Sequence, residues 1–160
     1  MKKLSTLGLF LAVILCIRSA CHSEEKKSPS FQKPYTSSIE KSLLDHIHKE
    51  RESRELSPLK ISMELTILAR RHSQDMASLS RLSHFSTSGK SYLERLVAEA
   101  LYFADIGENV AFSETFRADI IHQSLMESQE HRRNILTPSF DLVGIDILFG
   151  KSPQFPRGTF

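Results

Sequence analysis

The sequence predicts one α+β domain in which helices pack on a short sheet. Three observations carry this. The chain has 160 residues, the size of one domain. It is 40% hydrophobic and 25% charged, an ordinary globular balance with enough apolar material for one core. Its apolar residues fall at helical spacing in four stretches and in an extended pattern in two others.

The first twenty residues read as an export leader rather than as part of that domain. Met1-Lys2-Lys3 is a positive start, and Leu4 to Ile17 is an apolar run of 14 residues. That length is short for a helical membrane span and suits the core of a signal peptide. Arg18-Ser19-Ala20-Cys21 follows, and small residues ahead of a cysteine resemble a bacterial lipoprotein signal. Cys21 is then the expected lipidation site, and the membrane an expected partner through that anchor. Simple secretion and an uncleaved anchor are the alternatives. Residues 21–36 contain Pro29, Pro34, several serines and the Glu24-Glu25-Lys26-Lys27 charge run, which predicts a flexible linker.

The formal net charge of +2 owes its sign to the leader. Lys2, Lys3 and Arg18 supply three of the 21 basic side chains, and the leader has no acid. The remainder carries 18 basic against 19 acidic groups, a net of −1. No basic field is left to favour nucleic acid as a partner. The two cysteines are Cys16 and Cys21, so the expected domain has no internal disulfide and no thiolate ligand or nucleophile.

The domain itself is expected over residues 37–150. A first helix starts at Ser37 or Ser38, since Ser37 and Glu40 stand at capping-box spacing and Ile39, Leu43, Leu44 and Ile47 form a stripe. It ends near Arg54. His46 and His48, two apart, point about 200° from one another on a helix and read as surface histidines. A second helix begins near Ser62, with Leu65, Leu68, Ala69, His72, Met76, Ala77 and Leu79 on its buried side. His72 reads as a core histidine with a satisfied hydrogen bond. Ser83 to Lys90 is a loop. A third helix covers Tyr92 to Leu101, carrying Leu93, Leu96, Val97 and Ala100. Ile106 to Phe112 is extended. A fourth helix runs from Thr115 to Ser128 with Phe116, Ile120, Ile121, Leu125 and Met126 inward, and His131 follows in a loop. Leu142 to Phe149 is a strand with β-branched residues in its middle. Residues 151–160, with Pro153, Pro156 and Gly158, read as a C-terminal loop.

No Gly-rich phosphate loop, G-x-S-x-G elbow or H-E-x-x-H pattern is present. The polar clusters are instead Ser83-His84-Phe85, Gly107-Glu108-Asn109-Val110-Ala111 and Ser128-Gln129-Glu130-His131-Arg132-Arg133-Asn134. Together with Ala69 to Ala77, Gly89, Arg95, Pro138-Ser139-Phe140 and Val143-Gly144-Ile145, their order and spacing resemble the bacterial branch of the CAP superfamily. That superfamily joins cysteine-rich secretory proteins, antigen 5 and pathogenesis-related proteins, and its domain is also called SCP. The resemblance covers about residues 38–150.

It implies a three-layer α-β-α sandwich around an antiparallel sheet, here without its last strand, because residues 151–160 are short and proline-rich. It also implies a cleft with two histidines and two acids. Carried over, His84 and His131 are the histidines and Glu108 the first acid. Ser128 stands where the second acid falls. The expected cleft is therefore His84, Glu108, Asn109, Ser128 and His131, with Asn109 serving the turn through local backbone bonds. His84, Glu108 and His131 are the expected metal ligands, for zinc or another divalent ion. Two other roles stay open: a hydrogen-bonded polar cluster, or Glu108 as a backbone cap. Arg95 is expected in a structural salt bridge. One of Arg132 and Arg133 is expected to pair with an acid such as Asp141 or Glu130.

The function expected is that of an exported, lipid-anchored CAP-domain protein. Its cleft binds a protein, lipid or glycan ligand, or a divalent metal, without catalysis. The alternative is a metal-dependent hydrolase of envelope peptides or glycans, which would need a general base and an oxyanion donor near the metal-bound water.

Overall fold

The computed structural model describes residues 7–17 and 37–151. The linker, residues 152–160 and the expected lipidation site Cys21 lie outside them. In order, the elements are β1 (Leu7–Ile17), α1 (Ser38–Glu52), β2 (Lys60–Ile61), α2 (Met63–Leu79), α3 (Tyr92–Ala98), β3 (Asp105–Ser113), α4 (Ala118–Glu127), α5 (Gln129–Leu136) and β4 (Leu142–Lys151). The sheet order is β2-β4-β1-β3. β1 is antiparallel to both neighbours, and β2 runs parallel to β4.

Three layers result. On one face, α1, α4 and α5 bury Leu43, Leu44, Ile47, Ile121, Leu125 and Ile135 against Leu11, Val143, Ile145 and Ile147. On the other, α2 and α3 bury Leu65, Leu68, Ala69, Met76 and Leu96 against Phe10, Ala12 and Val110. Alternation along each strand divides its side chains between these two cores. The α-β-α sandwich is as expected.

The placement of the apolar N-terminal run is not. In the full chain, Leu7–Ile17 is a strand inside the sheet, with Phe10, Leu11 and Ala12 buried. An apolar run rich in Leu, Ile and Val has the composition of a buried strand as well as of a leader core, and periodicity does not separate the two.

Local chemistry explains the helix starts. Ser37 and Glu40 form the capping box of α1, and Ser91 and Glu94 form that of α3. Ser62 caps α2. Glu40 also accepts from the Ile147 N–H at 2.8 Å, tying the first turn of α1 to β4. α2 lies directly on β4 at Gly144, where a Cβ would stand 2.2 Å from the Leu65 carbonyl carbon.

Several local expectations need correction. His131 lies in helix α5, not in a loop. Ser128 leaves helical geometry (φ −77°, ψ 124°), so one helical run becomes two. β2 is a two-residue strand that the sequence pattern did not show. Phe116, Ile120, Leu79, Leu93 and Val97 are exposed rather than inward. α3 ends at Ala98, and Ala100 has φ 56°. His46 and His48 are half-buried and partnered. The His46 ring stacks on His122 at 5.6 Å, and His48 Nε2 donates to the Leu59 carbonyl at 3.0 Å.

Arg51 was not legible as anything but the end of a helix. It is fully buried. Its four hydrogen bonds among the described residues go to main-chain carbonyls: Ser57 at 2.8 Å, Ile135 at 2.8 Å, Thr137 at 3.0 Å and Phe140 at 3.0 Å. Burial pushes its pKa down from the ordinary value. The fork-shaped guanidinium thereby fixes the C-terminal end of α5 and the turn into β4.

Candidate functional site

The site forms at the free edge of β3. β3 is the outermost strand of the described sheet, so side chains from both helical layers reach around its edge. His84 comes from the loop between α2 and α3, and His131 comes from α5. Gly107, Glu108 and Asn109 are consecutive on β3, buried, and point alternately to the two layers.

Glu108 is the buried centre. His84 Nδ1 lies 3.0 Å from its Oε1, and Arg95 donates from Nη2 to its Oε2. A carboxylate oxygen accepts, so His84 Nδ1 is the donor of this bond, which in the neutral ring leaves Nε2 as an acceptor. The His84 side chain is 48% exposed, while that of Glu108 is inaccessible. Arg95 also donates to the carbonyls of His84 at 2.9 Å and Lys90 at 3.2 Å, which holds the His84 loop down. The salt bridge expected for Arg95 is thus made with the site carboxylate itself.

His72 lies behind this pair. It is fully buried, and its Nε2 donates to the Ser83 carbonyl at 2.7 Å, 3.9 Å from Glu108 Oε1. Its pKa is lowered first by burial; Glu108 opposes this and Arg95 adds to it. It is the core histidine expected from its place on the apolar stripe.

On the other side of β3, Asn109 Nδ2 donates to the His131 carbonyl at 3.1 Å. Asn134 Nδ2 donates to Asn109 Oδ1 at 2.8 Å and to the Glu108 carbonyl at 3.2 Å. Asn109 therefore fastens α5 to the strand; it stands in the middle of β3 and these bonds are long-range, so the expected service to a turn is corrected. Gly107 leaves room for this: a Cβ there would stand 3.0 Å from Asn134 and 3.2 Å from Phe140.

The cleft has a volume of about 210 Å³ and is lined by His84, Tyr92, Ile106, Gly107, Glu108, Glu130, His131 and Asn134. It brings His84, Glu108 and His131 together. Ser128 is not in the lining. Glu130, in the first turn of α5, is the second carboxylate of the cleft, and the helix rather than a loop aims it there. Tyr92 and Asn134 had no role assigned from sequence. The only signal for Asn134 was its place in the polar cluster that follows His131, and Tyr92 carried none beyond its place at the start of the third helix. Neither arginine after His131 is needed in the cleft; Arg132 donates to the Met126 carbonyl at 2.8 Å. The His131 pKa is lowered, chiefly by burial and next by His84, with Glu130 opposing.

The donor set does not fit the expected metal centre. Both oxygens of Glu108 are engaged, by His84 and Arg95. Among the described residues, no three His, Cys, Asp or Glu side chains are grouped as a metal ion would need. His84, Glu108 and Arg95 form a hydrogen-bonded cluster, and the His131 ring lines the cleft beside it. Chemically the cleft offers exchangeable donors and acceptors in a small concavity: the His84 Nε2 lone pair, the His131 ring, the Tyr92 hydroxyl, the Asn134 amide and the Glu130 carboxylate.

Among the described residues no helix is long and apolar enough to cross a membrane. The family model of the cysteine-rich secretory protein family (CAP) matches residues 44–155. An uncharacterized protein of Bacillus subtilis (strain 168), YkwD, is 30% identical over 109 residues, 68% of this chain and 42% of that protein's length. The chain thus spans less than half of this relative. A solved structure, that of an outer surface protein from Borrelia burgdorferi, superposes with a TM-score of 0.60 at 16% identity, covering 72% of this chain and 93% of that one. That likeness is one of fold. The layered sandwich and the matched family model agree, and the chain belongs to the cysteine-rich secretory protein (CAP) family.

Proposed function

We propose that this CAP domain is a binding module whose cleft receives one small polar group of a larger ligand, such as a sugar ring or a peptide segment, without turning it over. The observation that carries this is the inaccessible Glu108 carboxylate, bonded by Arg95 at one oxygen and by His84 at the other. A carboxylate held by a guanidinium and an imidazole is a scaffold for the His84 loop. It is a poor metal ligand and a poor general base, since its side chain is inaccessible and either role requires an oxygen that meets the reactant. The volume, about 210 Å³, is below the usual range of about 300–1,000 Å³ for sites that enclose a whole small molecule. A partial ligand group suits it better.

The leader-like start and Cys21 support export, with lipidation at Cys21 as the finer reading. Metabolic labelling with a fatty acid, comparing the wild type with Cys21→Ser, tests the anchor. Label on both or on neither removes it.

The cleft is tested by titrating the full chain with chitin oligomers, peptidoglycan fragments and zinc chloride, monitoring the His84 and His131 ring signals. The expected outcome is a saturable shift with a glycan or peptide fragment that His131→Ala abolishes, and no release of product. Stoichiometric zinc binding lost in both His84→Ala and Glu108→Ala would return the metal reading. Zinc-dependent cleavage of peptidoglycan or casein would return the hydrolase.

A further inference from the structure

The strand that carries the site is joined to the sheet by one neighbour. β3 pairs with β1 and with no other strand among the described residues. The register sets Gly107 against Leu15, Glu108 against Ile14 and Asn109 against Val13. β4 lies on the opposite side of β1, with Cys16 against Leu142 and Leu15 against Val143. β1 therefore fills a slot between two strands and supplies side chains to both cores: Leu11 to one, Phe10 and Ala12 to the other. Phe10 meets Phe112 of β3 edge to face, with ring centroids 5.3 Å apart.

The rest of the domain does not depend on this segment for its identity. The family match begins at residue 44, well beyond β1. Cutting the chain ahead of Cys21, as lipoprotein maturation requires, would remove β1 and leave β3 and β4 with unpaired edges facing each other. Such edges are templates for an added strand. Main-chain bonds then give affinity, and alternating side-chain pockets give selectivity.

We propose that the slot between β3 and β4 is a strand-binding site, filled in the full chain by its own Leu7–Ile17. In a molecule cut ahead of Cys21, it takes up an extended peptide that is likewise apolar throughout. The ligand class is thus an apolar β-strand peptide, bound antiparallel to both β3 and β4. The proposal uses the export reading only for the cut, and its test involves no cleft ligand, so the two stand or fall separately.

The test uses Cys16 as a built-in probe. In the full chain with Cys21→Ser, a second thiol is introduced by Leu142→Cys on β4 or, independently, by Ile106→Cys on β3. Both positions are Cα partners of Cys16. Antiparallel partners stand about 4.5–5.5 Å apart, within the reach of a disulfide. Val143→Cys, one step out of register, is the control. Under mild oxidation, most of the chain carrying either in-register thiol is expected to migrate as a cross-linked species, and the control chain is not. Absence of the cross-link in both variants while circular dichroism shows a folded protein overturns the strand placement, as does equal cross-linking at 143.

The second arm starts from the Leu142→Cys chain with a protease site introduced between residues 22 and 36. After cutting with the thiols reduced, a labelled synthetic peptide of residues 7–17 is added in excess and the mixture is then mildly oxidised. It is expected to exchange into the slot and cross-link to position 142, and unlabelled peptide is expected to compete. Failure to exchange, where a reduced and uncut sample forms the intramolecular cross-link on oxidation, overturns binding in trans.

Discussion

Arg95 and Glu108 form an ion pair beneath the cleft, with the arginine side chain 8% exposed and the carboxylate inaccessible. The pair decides what the site can do. It occupies one carboxylate oxygen, leaves the other to His84, and anchors the loop on which His84 rides. Breaking a buried pair by removing one partner strands the other charge, at a cost of about 3–5 kcal/mol. Arg95→Met and Glu108→Gln should each lower stability by several kcal/mol in urea unfolding. The two together should cost much less than the sum. Additive losses would mean that the pair is not coupled.

Arg51 is expected to matter as much, though it lies outside the cleft. Arg51→Met leaves carbonyls of Ser57, Ile135, Thr137 and Phe140 without their donor. Each buried unsatisfied group costs about 1–3 kcal/mol. Destabilisation of about 3 kcal/mol or more is expected, with Arg51→Lys recovering little of it, because an ammonium lacks the fork. Amide hydrogen exchange in α5 should speed up first. A loss below about 1 kcal/mol, the least that one such group should cost, would refute the clamp.

Gly144 and Gly107 should behave differently. Gly144→Ala drives a methyl group to 2.2 Å from the main chain of α2, which cannot yield without moving the helix. Overpacking of this kind costs typically about 1–3 kcal/mol, and a clash with backbone belongs at or above the top of that range. Gly107→Ala meets side chains at 3.0–3.2 Å, which can give way. Thermal melts should therefore rank Gly144→Ala as the more damaging, and the reverse order would contradict the packing of α2 on β4.

One buried and two half-buried histidines set an acid limit. The pKa values of His72, His122 and His131 are lowered in the folded chain, each chiefly by burial. Between those lowered values and the ordinary 6.5, the unfolded chain binds more protons than the folded one. Stability is therefore full above about pH 6.5 and falls as the pH drops below it. Urea midpoints measured from about pH 7.5 to about pH 5 should decline, and NMR titration should give His131 an apparent pKa below the ordinary value of about 6.5. A midpoint that rises on acidification would contradict the burial of these rings.

Local chemistry made much of the framework legible. The capping serines Ser37 and Ser62 and the stripes of α1 and α2 depend on near neighbours, and they stand where the pattern put them. The three polar clusters were legible as a site because each interrupts an apolar pattern. The inward turns of Phe116 and Ile120 were misjudged, since an apolar residue at helical spacing says nothing about whether a second layer covers it. Glu130 was undecidable from sequence, because a turn of helix rather than a loop directs its side chain.

By itself, then, the sequence determined helices α1 to α4, the two longest strands of the domain and the family. Those follow from spacing, which the chain carries locally. The tertiary structure decided that Arg95 and His84 occupy Glu108, that Arg51 clasps the end of α5, and that Leu7–Ile17 lies between the site strand and β4. Such facts depend on partners far apart along the chain. An apolar run specifies burial, but only the assembled sheet specifies what buries it.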